Sequence, residues 1–272
     1  MGLRVNTNIA SITAQRNMAA VSARLQGNYA RLSSGLRIAT AADDAAGLAI
    51  SERMRSQIRS YGAAGRNAQD GISLAQTAEG ALNEASNILT RMRELAIQSS
   101  NGTLSDSDRV TIGTEVTQLI AELDRIADSA EFNGIKLLDG TATTASIQVG
   151  INANETIEIT LQDTTTVALG VDGVDVSSVS TANAALDVID DAVDIVNTSR
   201  GNLGAAQNRL QSAAASIANV RENLSAAESR IRDVDVAFET ADLSRNTIMQ
   251  QAAVSVLQQA NVQPQIALKL LQ

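Results

Sequence analysis

The 272-residue chain has no cysteine, no histidine and no tryptophan, and its one proline is Pro264. Without cysteine there is no disulfide framework and no thiolate chemistry. Without histidine the commonest general base and metal ligand is missing, so a hydroxyl nucleophile lacks its usual activator. Aromatics make up 1% of the residues and are confined to Tyr29, Tyr61, Phe132 and Phe238. Lysine occurs only at Lys136 and Lys269. With 21 basic against 30 acidic residues and a formal charge of -9, there is no phosphate-tracking basic domain, and nucleic acid is not an expected partner. No apolar run reaches the length needed to cross a bilayer. Asn6, Thr7 and Asn8 interrupt the start of the chain, and no apolar signal-peptide core follows. Asn6 also stands where myristoylation requires Ser or Thr. Taken alone, these absences give a cytoplasmic default.

Motifs for chemistry are equally scarce. There is no GxGxxG, Walker A, HExxH or GxSxG pattern, so neither catalysis nor a cofactor is expected. Asp172-Gly173-Val174-Asp175 lacks the run of oxygen ligands of a calcium loop and reads as a turn. The pair Asp43-Asp44 reads as the start of a helix, where carboxylates suit the unpaired N–H groups.

Much of the 44% hydrophobic content is alanine, which favours helix but buries little area per residue. Long thin helices packed side by side are the expected outcome. In residues 1–39, Met18, Val21, Leu25, Leu32 and Leu36 share one face, while Gly27 and Gly35 weaken the helix. A second helix from Asp43-Asp44 carries Ala68, Ile72, Ala75, Leu82, Ala85, Leu89, Met92 and Ala96 at spacings of mostly three and four. It should end in a left-handed cap at Asn101-Gly102. A third begins at Ser105, which forms a capping-box pattern with Asp108, and its stripe is Ile112, Val116, Leu119, Leu123, Ile126 and Ala130.

The period then changes. Asn133-Gly134 and Asp139-Gly140 are turn signals. Ile147, Val149 and Ile151, then Ile157, Ile159 and Leu161, alternate with polar residues around Asn152-Ala153-Asn154, which predicts a β-hairpin. A further short run, Val167–Val176, completes a Thr- and Ser-rich middle that reads as an exposed β element. Within it Thr164, Thr166 and Ser177 have no evident core role. From 184 to 232, Ile189, Val196, Leu203, Leu210, Ile217, Leu224 and Ile231 recur every seven residues, with small residues such as Ala192, Ser199, Ala206 and Ala213 three positions on. Such a helix is about 70 Å long. A last stripe runs through Met249, Ala253, Val256 and Ala260, and Pro264 should stop it. The fold class is therefore mainly α: a long antiparallel coiled-coil-like bundle of the N- and C-terminal halves, with a small β-hairpin region between.

Several motifs in order carry a resemblance. They are Asn6-Thr7-Asn8-Ile9, Leu32-Ser33-Ser34-Gly35-Leu36-Arg37-Ile38, and Asp43-Asp44-Ala45-Ala46-Gly47-Leu48-Ala49-Ile50. Met92-Arg93-Glu94-Leu95-Ala96-Ile97-Gln98, Phe132-Asn133-Gly134, Ser229-Arg230-Ile231-Arg232-Asp233-Val234-Asp235 and the tail around Pro264-Gln265 follow. With these the chain resembles bacterial flagellin, the filament subunit, over nearly its whole length. The resemblance implies an inner helical domain from 1–42 with 233–272, an outer helical domain from 43–140 with 184–232, and a short exposed middle at 141–183. It implies a self-polymer with Arg37, Asp43, Asp44, Arg230, Asp233, Leu268 and Leu271 in subunit packing. An export chaperone, filament cap and junction proteins are implied as partners, and export by flagellar type III secretion displaces the cytoplasmic default with an extracellular filament. Contact with a Toll-like flagellin receptor is implied for Arg91, Leu95, Gln98 and Glu115. Ala39, Ala42 and Val262 depart from the residues usual in the family. Hook–filament junction proteins share the terminal helices and form the alternative, but they usually diverge from the Asp43–Ile50 and Met92–Gln98 motifs.

Overall fold

The computed structural model of the chain describes residues 7–269, with side chains for residues 7–263. Among the described residues, six helices and four short strands occur in the order α1 (Ile9–Ser34), α2 (Ala45–Ser99), α3 (Asp106–Ser129), β1 (Glu131–Phe132), β2 (Ile135–Lys136), β3 (Thr144–Gln148), β4 (Thr156–Thr160), α4 (Thr166–Leu169), α5 (Val179–Arg232) and α6 (Val236–Lys269). They form two compact units: the chain up to Ser56 with the chain from Asn223 onward, and Gln57–Glu222. The boundaries fall inside α2 and α5.

The Gln57–Glu222 unit is built on the apolar stripes. All eight α2 positions read from the sequence are buried, as are Ala64, Leu74, Ala78 and Leu95. From α5 the buried set includes Ala182, Ala185, Ile189, Ala192, Val196, Leu203, Ala206, Leu210 and Ile217. These helices run antiparallel, because Arg93 meets Asp190 while Glu79 meets Gln207. Alternating large and small residues on α5 let the facing α2, rich in alanine, approach closely. α3 contributes Ile112, Val116, Leu123, Ala127 and Ala130, with Leu119 and Ile126 only half-buried.

Capping at the α2–α3 connection differs at its two ends. Ser105 caps α3 with a full capping box, in which Asp108 N–H and the Asp108 carboxylate reciprocate. Neither Asn101 nor Gly102 takes a positive φ, so the expected left-handed cap is absent. Arg109 does that work instead, being buried and donating to the carbonyls of Ser99, Asn101 and Leu104. It satisfies orphan acceptors at the negative end of α2.

β1 and β2 flank Asn133-Gly134, whose φ values of 50 and 79 mark a tight hairpin turn. β3 and β4 pair antiparallel with Ile147 opposite Ile157 and Ala145 opposite Ile159. β3 begins earlier than the alternation suggests, so Val149 and Ile151 lie in the connection. The middle segment is not exposed throughout. Ile157, Ile159, Leu161, Leu169, Val171 and Val176 belong to the same apolar core as the α2, α3 and α5 stripes. Ile147 sits over Gly71, where an added Cβ would meet its Cγ1 at 2.9 Å, so the hairpin's approach to α2 requires glycine there. Val167–Val176 is not a strand: it holds the α4 turn, capped by Thr165, and an irregular segment. Thr164 and Thr166 are buried, Thr166 binding Asp124 through both N–H and Oγ1 at 2.9 Å. A hydroxyl that looks solvent-facing in sequence, that of Thr166, thus ties the middle segment to α3.

In the other unit, α1 continues through Gly27, and Gly35 ends it in the left-handed conformation at φ 72. α6 continues past Pro264 to Lys269. A proline removes one i→i−4 bond and crowds the preceding turn, but the residues after it remain free to be helical.

Candidate functional site

The informative sites are surfaces, and the first is the α1–α6 seam. The two helices lie antiparallel, since Asn8 donates to the Ala260 carbonyl at 2.8 Å while Arg31 faces Glu239 at 3.8 Å. The buried positions include polar ones. Asn28 Nδ2 donates to Glu239 Oε1 at 2.6 Å, and Asn246 Nδ2 donates to Asn28 Oδ1 at 2.9 Å, all three side chains being buried. Ser11 Oγ donates to Asn261 Oδ1 at 2.7 Å. Polar groups buried in this way need every partner in place. Meanwhile Ile9, Ile12, Tyr29, Val236, Phe238, Ile248 and Val256 are exposed. Val256 therefore leaves the buried stripe to which its spacing assigned it. The stripe on α6 runs instead through Glu239, Leu243, Asn246, Ala253, Leu257 and Ala260, which are buried or half-buried.

The second site is the connection between helices in the same unit. Leu36 and Asp233 form a one-residue antiparallel bridge. Arg37 N–H donates to the Arg232 carbonyl at 2.7 Å, and Arg37 Nη2 donates to the Ile231 carbonyl at 2.5 Å. Val234 N–H returns a bond to the Gly35 carbonyl at 3.0 Å. Asp43 closes a small turn, with Oδ2 accepting from Ala39 N–H, Thr40 N–H and Thr40 Oγ1. The Thr40 N–H and hydroxyl hold the exposed Asp43 carboxyl below its ordinary value. Asp44 accepts from Gly47 N–H at 2.9 Å and so starts α2 as expected. Asp233 and Arg230 are exposed. Arg232 reaches Glu52 at 2.7 Å, and with Arg55 it lowers the Glu52 carboxyl. Leu271, and the side chain of Leu268, lie outside the described residues.

The third site is the α2–α3 face. Arg91 pairs with Glu115 at 2.8 Å and Glu94 at 3.1 Å, and these carboxylates raise its guanidinium further above the ordinary value. Arg91 and Gln98 are exposed and Glu115 is half-buried, but Leu95 is only 2% exposed. The resemblance named Leu95 together with Arg91, but α2 buries more than one face. Leu95 belongs to the core beneath the α2–α3 face.

The resemblance named Arg37, Asp43, Asp44, Arg230 and Asp233 for subunit packing. Sequence reasoning missed Asn28, Glu239, Asn246 and Arg109, because isolated polar residues on a helix look like solvated ones. Their positions in the three-and-four spacing of apolar neighbours were the available signal. Among the described residues no group of His, Cys, Asp or Glu is placed to hold a metal ion, and no helix is long and apolar enough to cross a membrane.

The comparisons agree with this architecture. Residues 5–143 match the bacterial flagellin N-terminal helical region, and residues 186–271 match the bacterial flagellin C-terminal helical region. A flagellin of Halalkalibacterium halodurans is 48% identical over 98% of this chain and 99% of its own length. A flagellar filament 30.7 kDa core protein of Treponema maltophilum is 44% identical over 98% and 99% respectively. Among solved structures, the Bacillus cereus flagellin has a TM-score of 0.52 and 34% identity, covering 56% of this chain and 88% of its own. A putative flagellar hook-associated protein of Vibrio parahaemolyticus shares the fold at a TM-score of 0.60 and 14% identity, covering 70% of this chain and 100% of its own. With both terminal helical regions matched and a near full-length relative, the chain belongs to the bacterial flagellin family and is a structural, non-catalytic subunit.

Proposed function

We infer that the chain polymerises into the extracellular flagellar filament, and so serves swimming motility, through the outward surfaces of its α1–α6 pair. The observation that carries this is the inverted character of that pair: Phe238 and Ile248 are exposed at 65% and 66% while Asn28, Glu239 and Asn246 are buried. Apolar groups left outside a helix pair await covering by other copies. Association of unlike surfaces gives an open helix rather than a closed ring. The exposed charges Arg37, Asp43, Asp44, Arg230 and Asp233 are the polar complement, with Leu268 and Leu271 as apolar contacts further along the tail. In this filament residues 1–42 with 233–272 form the inner layer, 43–140 with 184–232 the outer helical layer, and 141–183 the exposed middle.

Three variants test the reading. Deleting residues 261–272 should abolish filaments while the Gln57–Glu222 unit keeps its helicity, and Asp43→Lys should impair assembly. A small epitope tag beside the exposed Gly173, where nothing lies within 4 Å of a Cβ, should leave filaments intact and reachable by antibody. Normal filaments from the truncation, or an insertion that blocks assembly while Asp43→Lys does not, overturn it.

Family membership also supports export through the flagellar type III channel and encounters with an export chaperone, the filament cap and junction proteins. A Toll-like flagellin receptor is the proposed partner of the α2–α3 face. Arg91 and Gln98 supply its exposed groups, half-buried Glu115 holds Arg91, and Leu95 supports them from below. An Arg91→Ala monomer that signals as strongly as the unchanged protein in reporter cells removes Arg91 from that contact.

A further inference from the structure

The chain carries two Asn-Gly pairs on exposed turns, Asn101-Gly102 and Asn133-Gly134. Their surroundings differ. Asn133 lies in the tight β1–β2 turn with φ 50. Around Asn101, three donors are fixed. Thr103 N–H donates to Asn101 Oδ1 at 3.2 Å. The Asn101 main-chain oxygen accepts from Leu104 N–H at 3.3 Å and from Arg109 Nη2 at 3.0 Å. Arg109 is 4% exposed, and its guanidinium is further held by the Ser99 and Leu104 carbonyls.

We propose that Asn101 is a self-modification site, where the Asn101 side-chain amide is converted to a carboxylate by its own Gly102 peptide nitrogen with help from Arg109. The Gly102 N–H gives its proton to solvent base. The negative charge that develops is shared with the Asn101 main-chain oxygen, which a cationic and a neutral donor already hold. A hydrogen bond to the charged form favours that form, more so when the donor is ionised. The nitrogen then bonds to Asn101 Cγ, and the oxygen that becomes an oxyanion is Oδ1, which faces Thr103 N–H. The Cγ–Nδ2 bond breaks, ammonia leaves with a proton from solvent, and a five-membered imide remains. Water opens the imide at either carbonyl to give aspartate or its iso-linked isomer. The new carboxylate lies in the loop that joins α2 to α3, on the residue whose main-chain oxygen Arg109 holds. Glycine matters for access, because a Cβ on the attacking residue crowds the approach, while open space around Gly102 means an alanine there costs nothing sterically.

The Asn133 pair is the internal reference, being equally exposed and lacking the donor set. The test follows both sites in the purified full chain, held at mildly alkaline pH, by peptide-mapping mass spectrometry with an isoaspartyl assay. Asn101 should convert faster than Asn133 by about tenfold, the worth of one charge-assisted hydrogen bond. In urea, where no structure remains, the two rates should draw together. Gly102→Ala should suppress conversion at Asn101 only, and Arg109→Gln should bring Asn101 toward the Asn133 rate if circular dichroism shows it folded. Equal rates in the folded chain, or the same ratio folded and unfolded, overturn the proposal.

Discussion

The unit formed by Gln57–Glu222 and the α1–α6 pair solve the same problem with opposite materials. The first hides Leu82, Leu89, Leu203 and Leu210 completely or nearly so and is lined by alanines that let its helices approach. The second hides Ser11, Asn28, Glu239 and Asn246 and leaves Ile9, Phe238 and Ile248 outside. A buried apolar side chain stabilises by removing area from water wherever it lies. A buried amide stabilises only in the register that supplies its partners. The Gln57–Glu222 unit therefore carries its own stability. The terminal pair carries specificity of register and keeps its apolar surface for association.

The sharpest way to break that contrast is to truncate one large side chain in each unit. Leu210→Ala should cost the monomer about 2–5 kcal/mol, because Leu210 is fully buried and a cavity remains. Phe238→Ser should change monomer stability by only about 0.5 kcal/mol yet prevent or strongly weaken polymerisation. Calorimetry of monomers and sedimentation of assembled material read both quantities. Equal losses of monomer stability would erase the distinction between the units.

The distinction was half legible in the sequence. The α5 heptads identified Ile189, Val196, Leu203, Leu210 and Ile217 because one partner helix faces them along their length. The α3 capping box was legible because Ser105 and Asp108 act locally. The burial of Leu95 was not legible because α2 buries two faces, and a single stripe shows one. The polar seam was illegible for a related reason. Nothing within α1 says that Asn28 will meet Glu239 and Asn246, which lie more than 200 residues away in the chain. Thr164 and Thr166 failed likewise: hydroxyl-rich composition suggested solvent, and the Leu138 carbonyl and Asp124 on α3 were their respective undetected partners. Gly35 and Gly71 were both visible as glycines, yet only φ at one and Ile147 at the other reveal why each is there.

A smaller effect tests the register role of the polar seam. Asn246→Ala leaves the Asn28 amide oxygen without its donor in a buried position, so the α1–α6 pair should lose about 1–3 kcal/mol. The loss should appear as faster amide hydrogen exchange in α1 and α6. The exchange of α5 around Leu203 should stay as it is. Unchanged protection in α1 would mean that its half-buried Met18, Val21 and Leu32, not the amides, fix the pairing.

The smallest expected effect concerns exposed charge, which contributes little in either unit. In the Gln57–Glu222 unit Arg93 grips Asp190 at 2.5 Å and lowers its carboxyl, and the Ser105 hydroxyl and N–H lower Asp108. In the terminal unit Thr40 lowers Asp43, and Arg232 followed by Arg55 lowers Glu52. A carboxyl lowered on folding adds stability that is fully present above its unfolded value, about 3.9 for Asp and 4.3 for Glu, and that disappears as pH falls through the folded value. Stability should therefore fall modestly on acidification below about pH 4 from these groups. Relief of the repulsion among the chain's excess acidic residues acts in the opposite direction, so the raw melting curve does not isolate the pairs. Asp190→Asn does. The variant should be slightly less stable than the unchanged chain at neutral pH and should converge with it in acid, where Asp190 is protonated in both folded and unfolded states. A gap between the two that stays constant from neutral to strongly acid pH would show that Asp190 stabilises through its shape and hydrogen bonding alone, with no share from its charge.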